Sequence, residues 1–316
     1  MTVVLVTGAT GFLGRALVKK LSAGGLEVRA CVRSPGNDLG VSCFLIKDIG
    51  PGTDWRDAMD GVDVIYHLAG LSEGNNSHID DEDYDRVNAQ GTLGLMTAAT
   101  HANVRRVVMT STIKVLGELS GVRPFDQHSR PNPQTAYARS KLNAEQYARK
   151  IAGQSGLELT IVRFPLAFGP GVAGNFGRLA GLAQKGIPLP FKNPGNKRSL
   201  VGLENAVDLL MCAGEHEKAA GKTFLIADQP ALSTGELLCR IARQMNINLW
   251  LFHLPRFLQR VLQHLPVVSG YANRLYGSLE VDDRYTRTVL SWSPPRSFDE
   301  ELQTAMNPFL SSKKRK

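Results

Sequence analysis

A phenol and an ammonium group stand four residues apart at Tyr137 and Lys141, in the sequence Tyr-Ala-Arg-Ser-Lys. Four residues make about one turn of an α-helix, so both side chains would lie on one helix face. A free tyrosine has a pKa near ~10, which is too high for proton transfer at neutral pH. A neighbouring cation favours the phenolate, and we expect Lys141 to lower the pKa of Tyr137. The pair predicts acid–base chemistry, although its spacing alone is common by chance.

Hydroxyl side chains at the end of a predicted strand strengthen this interpretation. The apolar run that begins at Val107 ends in Thr110, Ser111 and Thr112. Parallel α/β sheets bind their ligands at the carboxyl ends of the strands. A hydroxyl group there can donate a hydrogen bond to a substrate oxygen while Tyr137 handles the proton.

A glycine-rich turn, residues 7–14, connects the first predicted strand to the first predicted helix. Gly8 suits a tight turn, Gly11 lets the backbone approach a pyrophosphate, and Gly14 lets the helix pack close to the strand. The helix N-terminus adds unpaired N–H groups and a partial positive charge. The turn therefore predicts a nicotinamide dinucleotide site, whose cationic ring would also favour the Tyr137 phenolate and whose cofactor would exchange hydride.

The end of the second predicted strand indicates which dinucleotide binds. NAD sites place an acidic residue there for the ribose hydroxyls, whereas this sequence has Val32-Arg33-Ser34. Arg33 can pair with a 2′-phosphate, which favours NADP(H) and leaves NAD(H) possible. After the third strand, Asp48 is expected to accept a hydrogen bond from the adenine amino group.

The elements that position these residues alternate between strand and helix through the first half of the chain. This order predicts an α/β fold with a doubly wound parallel Rossmann sheet. We expect a dinucleotide-binding domain at 1–168, with segments near 199–228 returning to it, and a smaller C-terminal substrate-binding lobe at 169–198 and 229–316. Predicted strands are 3–6, 28–32, 43–46, 62–68, 106–110, 159–163 and 223–227, and predicted helices are 12–23, 84–101, 136–152 and 204–212.

Composition is that of an ordinary globular protein, with 43% hydrophobic and 21% charged residues and a net charge of +8. The basic run at 313–316 is expected to be a solvated tail, and no nucleic-acid partner is predicted. Four cysteines without metal-ligand spacing predict a reducing compartment and no metal site. The apolar stretch 247–268 is interrupted by Arg256, Arg260 and prolines, so it predicts an amphipathic helix packed on its own domain rather than a transmembrane segment.

Taken together, these motifs resemble the extended short-chain dehydrogenase/reductases of the NAD-dependent epimerase/dehydratase family, which includes nucleotide-sugar epimerases, dehydratases and reductases. The resemblance covers nearly the whole chain. It implies a nucleotide-sugar substrate (a UDP-sugar), a cytoplasmic location and a homodimer formed by the helix after Asn88 and the helix of Tyr137. The matching segments are residues 7–14, 47–49, 67–70, 87–92, 110–112, 137–141, 163–165, 168–171, 195–199 and 290–295.

The resemblance also implies roles for individual residues. Tyr137 matches the family's acid/base, Lys141 its partner that holds the nicotinamide ribose, and Thr112 the catalytic hydroxyl. Asn88 matches the asparagine that supports the active-site water network, and Arg163 lies beside the nicotinamide. The substrate contacts implied are Ser111, Thr112, Asn175 and Arg198, the last two at the diphosphate. The cofactor contacts expected are Gly8, Thr10, Gly11, Phe12, Leu13, Gly14, Arg33, Asp48, Ile49, Leu68, Ala69, Gly70, Tyr137, Lys141 and Pro165.

The residues after Thr112 indicate which reaction is carried out. Family dehydratases carry an Asp-Glu pair there for elimination of water, and this sequence has Ile113-Lys114. Two reactions at C4 of the sugar remain. The absent acid and Arg33 favour reduction of a UDP-4-keto(-6-deoxy) sugar in bacterial polysaccharide biosynthesis over UDP-sugar 4-epimerisation. A non-catalytic NADP-sensing protein is a remote alternative, since such proteins would be expected to lose Tyr137 or Lys141.

Overall fold

The computed structural model describes residues 2–73, 79–172, 174–265 and 269–313. Its ten strands form a seven-stranded sheet and a three-stranded sheet. The strands are β1 Val3–Thr7, β2 Glu27–Val32, β3 Ser42–Leu45, β4 Val64–His67, β5 Arg106–Thr112, β6 Glu158–Phe164, β7 Leu166–Phe168, β8 Arg198–Gly202, β9 Thr223–Leu225 and β10 Asp228–Leu232.

The larger sheet is parallel throughout and has the order β3-β2-β1-β4-β5-β6-β9. The chain leaves β1 toward β2 and β3 and then returns to β4 on the other side of β1. This reversal is the switch point at which open α/β sheets bind ligands. The prediction of a doubly wound Rossmann sheet is confirmed.

Helices cover both faces of the larger sheet, because its central strands are apolar on both sides. In β1, Val4 and Val6 belong to one buried cluster and Leu5 to the other, as the two-residue period of a strand requires. The helices are α1 Phe12–Ala23, α2 Arg56–Met59, α3 Asp81–Tyr84, α4 Gly91–His101, α5 Ala136–Ser155, α6 Gly174–Gln184, α7 Leu203–Glu215, α8 Thr234–Gln244, α9 Arg256–His264, α10 Ser269–Tyr276, α11 Arg284–Leu290 and α12 Phe298–Lys313.

A second lobe is built on the small sheet, whose order is β10-β8-β7. Its core is a separate apolar cluster that includes Phe168 and Phe176 stacked at 5.0 Å. The sheet draws β7 from the region predicted as the dinucleotide domain, so the two regions are interwoven. The exact domain boundaries stay a prediction. Sequence patterns did not predict α6, β7, β8 and β10, which are short and lie among glycines and prolines.

The predicted helix at 84–101 is interrupted. Residues Asp85–Gln90 form a π-helical segment between α3 and α4. Such segments are rare and occur often at functional sites, because the widened turn shifts the direction of the side chains. Here the segment carries Asn88.

The structure contradicts the prediction that the helix in 247–268 packs its apolar face on its own domain. In α9 the exposed residues include Phe257, Leu258 and Val261, and the buried residue is Gln259. Among the described residues, no helix has both the length and the apolar character needed to cross a bilayer. Of the basic tail, residues 314–316 lie outside the described residues.

Candidate active site

The glycine-rich turn forms a cradle at the carboxyl end of β1. Gly8 has a φ of +68°, and its carbonyl oxygen accepts a hydrogen bond from the Gly11 amide at 2.9 Å. A Cβ atom on Gly14 would overlap the Gly8 carbonyl, so only glycine allows α1 to pack this close. Thr10, Phe12 and Leu13 lie in the same turn and the first turn of α1.

The N-terminus of α1 is open to an anion. No side chain caps it, and its first turn contains no acidic residue. Its amide groups and the helix dipole can therefore stabilise a phosphate. The cradle fits a dinucleotide pyrophosphate, as the glycine spacing predicted.

The segment Leu68–Gly70, after β4, forms the opposite wall of this cradle. The Ala69 amide donates to the Thr7 hydroxyl at 3.2 Å, and a Cβ on Gly8 would come within 2.7 Å of the Ala69 nitrogen. A Cβ on Gly70 would lie 2.7 Å from Asn88 Oδ1 and 3.9 Å from Lys141 Nζ. The loop therefore connects the dinucleotide cradle to the predicted catalytic residues.

The residues predicted to contact the adenosine half lie at the edge of the sheet. Arg33 follows β2 and is exposed. Asp48 is also exposed, and its carboxylate accepts from Arg86 at 2.6 Å and from the Ile49 amide at 3.0 Å. Ile49 packs beside Gly91 at the start of α4. The roles of Arg33, Asp48 and Ile49 stay predictions.

Tyr137, Lys141 and Thr112 come together at the carboxyl end of β5. Tyr137 and Lys141 lie on the first turns of α5, whose N-terminus is capped by the Thr135 hydroxyl. The hydroxyl group of Tyr137 hydrogen-bonds with that of Thr112. The side chain of Lys141 is buried. The arrangement can move a proton at Tyr137 while Thr112 holds the same oxygen of a ligand.

Burial, rather than Lys141, dominates the pKa of Tyr137. Burial raises the Tyr137 pKa to about 12, although the hydrogen bond with Thr112 lowers it in part. The same burial lowers the pKa of Lys141 to about 8, against the raising influence of Glu145. The expectation that Lys141 and a cationic nicotinamide together favour the phenolate stays a prediction. A cationic ligand is needed to reverse the effect of burial.

Asn88 joins the helix of Tyr137 to the loop after β4. Its Oδ1 accepts from the Leu71 amide at 2.8 Å, and its Nδ2 donates to the Leu71 carbonyl and to Ser140 Oγ at 3.1 and 3.0 Å. Ser140 Oγ donates in turn to the Tyr137 carbonyl at 2.9 Å. These bonds make Asn88 a positioning residue, in keeping with its predicted supporting role. Sequence reasoning did not identify Ser140.

Ser111 and Arg163 both bind the carboxylate of Glu145. Ser111 Oγ donates to Glu145 Oε1 at 2.6 Å, and Arg163 binds both carboxylate oxygens of Glu145 at 2.9 and 2.6 Å. All three side chains are buried beneath α5. Both side chains are thus engaged by Glu145, and the predicted substrate contact of Ser111 and the place of Arg163 beside the nicotinamide stay predictions. Ser111 and Thr112 are neighbours in a strand, so their side chains point to opposite faces.

Sequence reasoning also missed Glu145, although its spacing could have revealed it. Tyr137, Lys141 and Glu145 follow one another at intervals of four residues, so they form one stripe along α5. The nearby Arg163 side chain lowers the pKa of the Glu145 carboxyl in spite of its burial.

An ionic cluster borders the site where family dehydratases carry their acidic pair. Lys114 Nζ donates to Glu73 at 2.5 Å and to Glu118 at 2.9 Å, and Arg274 on α10 lies 3.5 Å from Glu73. These side chains are largely buried. The cluster therefore joins the sheet edge to the second lobe through ion pairs.

Arg198 lies on the second-lobe side of this cluster. Its guanidinium donates to the Gly277 carbonyl at 3.0 Å. Burial lowers the pKa of Arg198 to about 10, while Glu118 raises it and Arg274 lowers it. Asn175 is half-buried in the first turn of α6, and Pro165 is buried after β6. Their predicted ligand contacts stay predictions. Within the described ranges, no group of three or more His, Cys, Asp or Glu could hold a metal ion.

Comparison with known proteins identifies the family. The profile of the NAD dependent epimerase/dehydratase family matches residues 4–227. The chain belongs to this family. A UDP-glucose 4-epimerase of Vibrio cholerae is 34% identical to it, over 99% of this chain and 97% of that protein. Membership confirms the resemblance and makes the chain an enzyme of the extended short-chain dehydrogenase/reductase type.

Solved structures of family members share this architecture. MoeE5 in complex with UDP-glucose and NAD is 25% identical, has a TM-score of 0.78 and covers 99% of each chain. A UDP-N-acetylglucosamine 4-epimerase from Bacillus cereus is 23% identical, with a TM-score of 0.79, over 99% of this chain and 100% of that chain. This chain therefore shares the fold of its family over nearly its full length.

The buried Glu145–Arg163 pair generates a stability prediction. Replacing Glu145 with Ala leaves the Arg163 charge buried without its partner, which costs about 3–5 kcal/mol. The free energy of unfolding, measured in urea, should fall by this amount. The matched control is Asp54→Ala, which breaks the exposed pair with Arg56 and should cost far less, because solvent screens an exposed ion pair. Equal losses in the two variants would contradict the assignment of a structural role to the buried pair.

The burial of His67 leads us to predict that the protein loses stability in mild acid. Its ring lies between the hydroxyls of Thr7 and Thr92 at 2.8 and 3.1 Å, and burial together with the Lys141 charge lowers its pKa from 6.5 to about 3. Below pH 6.5 the unfolded chain therefore binds a proton that the folded protein does not. Each pH unit lost should cost up to about 1.4 kcal/mol of unfolding free energy.

Urea unfolding at pH 6.5 and pH 5 tests this prediction. His67→Gln should reduce the pH dependence by roughly 2 kcal/mol over this interval. The control is His101→Gln, at the exposed end of α4, which should leave the pH dependence unchanged. A His67→Gln variant with the wild-type slope would exclude His67 as the acid-sensitive group.

Proposed function

We propose that the enzyme is a nucleotide-sugar 4-epimerase that acts on a UDP-sugar. The observation that carries the proposal is the Tyr137–Thr112 hydroxyl pair, with buried Lys141 beside it, at the mouth of the dinucleotide cradle. The 34% identity to a UDP-glucose 4-epimerase over almost the full length supports the substrate class. The MoeE5 complex with UDP-glucose and NAD supports NAD(H) as the cofactor.

In this proposal the C4 hydroxyl of the sugar binds between Thr112 and Tyr137. Thr112 donates a hydrogen bond to the C4 oxygen, and the Tyr137 phenolate accepts the hydroxyl proton. When bound, the nicotinamide cofactor supplies the hydride acceptor and, after the sugar turns over, the hydride donor. Tyr137 then returns the proton to the C4 oxygen. Asn88 and Ser140 keep the first turns of α5 in place throughout.

The electrostatics of the site couple proton transfer to cofactor binding. Burial holds Tyr137 protonated and Lys141 partly deprotonated. A bound oxidised nicotinamide would add a positive charge that favours the phenolate, so Tyr137 would act as a base when the hydride acceptor is bound. This coupling protects the bound sugar from proton abstraction without oxidation.

The dehydratase reaction is disfavoured by the residues after Thr112. Ile113 is fully buried, and Lys114 is paired with Glu73 and Glu118. Elimination of water needs one carboxyl as an acid and another as a base. The carboxylate of Glu73 is paired with Lys114 and Arg274 and that of Glu118 with Lys114, so these carboxylates do not supply that pair.

Reduction of a UDP-4-keto sugar is the second candidate, because Arg33 occupies the end of β2 in place of an acid. An exposed guanidinium there suits the 2′-phosphate of NADP(H), and NADPH serves net reduction. Sequence reasoning favoured this reaction. The full-length similarity to an epimerase now favours the epimerase. The homodimer and the cytoplasmic location stay predictions, the first testable by light scattering.

One assay distinguishes the two reactions. Purified enzyme is incubated with UDP-glucose, UDP-N-acetylglucosamine and a UDP-4-keto-6-deoxy sugar, with NAD, NADH and NADPH supplied separately. An epimerase interconverts the C4 stereoisomers of a UDP-sugar without stoichiometric loss of reduced nicotinamide absorbance. Loss of one equivalent of NADPH for each 4-keto sugar identifies the reductase instead.

Tyr137→Phe tests the assigned acid/base. Removal of the phenolic hydroxyl should lower kcat by about 10²–10⁴-fold, while cofactor fluorescence titration should show unchanged binding. The matched control is Tyr84→Phe, because the Tyr84 ring contacts that of Tyr137 edge-on at 5.9 Å. That variant should keep its activity within a few-fold. Near-normal turnover of Tyr137→Phe would exclude the proposed mechanism for either reaction.

A further inference from the structure

Helix α9 presents its apolar side to solvent. Phe257 is 64% exposed and Val261 is 51% exposed, and Leu258 and Leu265 continue the same side at helical spacing. On the opposite side, Gln259 is only 6% exposed and donates through Nε2 to the Leu254 carbonyl at 2.7 Å. Gln259 therefore ties α9 to the segment that precedes it, while the side chains of the apolar stripe are exposed in the described chain.

More exposed apolar side chains lie in the segment that leads to α9 and in the chain paired with it. Trp250 is 67% exposed, and Phe252 and Ile187 are also exposed. Two backbone hydrogen bonds join this segment to the chain around Leu189. The Leu189 amide donates to the Trp250 carbonyl, and the Phe252 amide donates to the Leu189 carbonyl. We call the surface formed by Ile187, Trp250, Phe252, Phe257, Leu258, Val261 and Leu265 the outer face.

The charges around the outer face have one sign. Residues 159–203 and 237–279 contain no aspartate or glutamate. Arg256 and Arg260 lie on α9 beside its apolar stripe, and Lys185 and Lys192 flank Ile187. All four side chains are exposed. The net positive charge of the chain is therefore concentrated in the lobe that carries the outer face.

We propose that the outer face docks the enzyme on an anionic phospholipid bilayer. Helices with Trp, Phe and Leu on one side and arginines on the other lie in the plane of a membrane interface. Tryptophan is enriched at that interface because its ring is amphipathic. The arginines are attracted to anionic headgroups. A second copy of this chain fits less well, since it would bring two cationic surfaces together.

The outer face is one helix away from the active site. Helix α9 packs against α10, which carries Arg274 beside Glu73 and the carbonyl of Asn273 beside Arg198. A helix with its side chains is about 10 Å across. Docking through the outer face therefore holds the second lobe, and with it the predicted substrate site, near the bilayer surface.

Vesicle flotation with the full-length protein tests the proposal. We expect the enzyme to float with vesicles of phosphatidylglycerol and phosphatidylcholine in equal parts, and to bind pure phosphatidylcholine at least about ten-fold more weakly. The double variant Phe257→Asp, Val261→Asp should lower binding to anionic vesicles by about ten-fold or more. Arg256→Glu, Arg260→Glu should lower it and weaken its dependence on salt.

Controls use the dinucleotide-binding half of the chain. Leu45→Asp, on the edge strand β3, is the control for the Phe257→Asp, Val261→Asp variant. The double variant Lys19→Glu, Lys150→Glu is the control for Arg256→Glu, Arg260→Glu. Both controls should bind vesicles like wild type. Melting temperature shows that each variant folds. Activity on soluble substrate should be unchanged in the α9 variants, so a failed epimerase assay and a failed flotation assay are separate results.

Two outcomes would overturn the proposal that the outer face docks on a bilayer. One is the absence of wild-type flotation with anionic vesicles, or flotation that the α9 variants retain. The other is a dimer in light scattering that Phe257→Asp, Val261→Asp converts to a monomer, since the outer face would then be covered by a second copy.

Discussion

The buried ion pair between Glu145 and Arg163 fixes the helix that carries the predicted catalytic side chains. Because Arg163 belongs to β6, and Ser111 of β5 donates to the same carboxylate, two strands hold α5 at one point. Lys141 lies one helical turn before Glu145 and Tyr137 one turn before that, so the anchor sets the position of both. Burying such a pair costs desolvation free energy. Here the pair holds α5 in a defined position at the edge of the sheet.

The same burial that fixes the geometry sets the protonation states. Burial disfavours the charged form of both side chains, so the pKa of Tyr137 rises to about 12, the pKa of Lys141 falls to about 8, and the two values move apart. A bound cation would oppose the effect of burial on Tyr137. The fold places the Tyr137 phenol beside Thr112, and a cationic ligand would supply the positive charge that favours its ionised form.

The second lobe contributes charge to this arrangement. Arg198 and Arg274 approach the sheet edge from the second lobe, where Glu73, Lys114 and Glu118 meet them. The lobe is otherwise devoid of acidic residues over long stretches. This excess of positive charge suits the diphosphate of a nucleotide sugar on the side that faces the larger sheet. On the outer side, positive charges lie near the exposed apolar stripe of α9.

The sequence by itself determined the Rossmann sheet, the glycine cradle and the Tyr137–Lys141 spacing, because each follows from a local pattern of buried strand, turn and helical period. Only the tertiary structure decided that Ser111 faces Glu145, since the two faces of β5 differ only in what packs on them. It also decided the raised pKa of Tyr137, which depends on burial by the whole domain. Periodicity showed which residues of α9 share a side, but only packing decided that this side is exposed, because a repeat pattern contains no information about neighbouring elements.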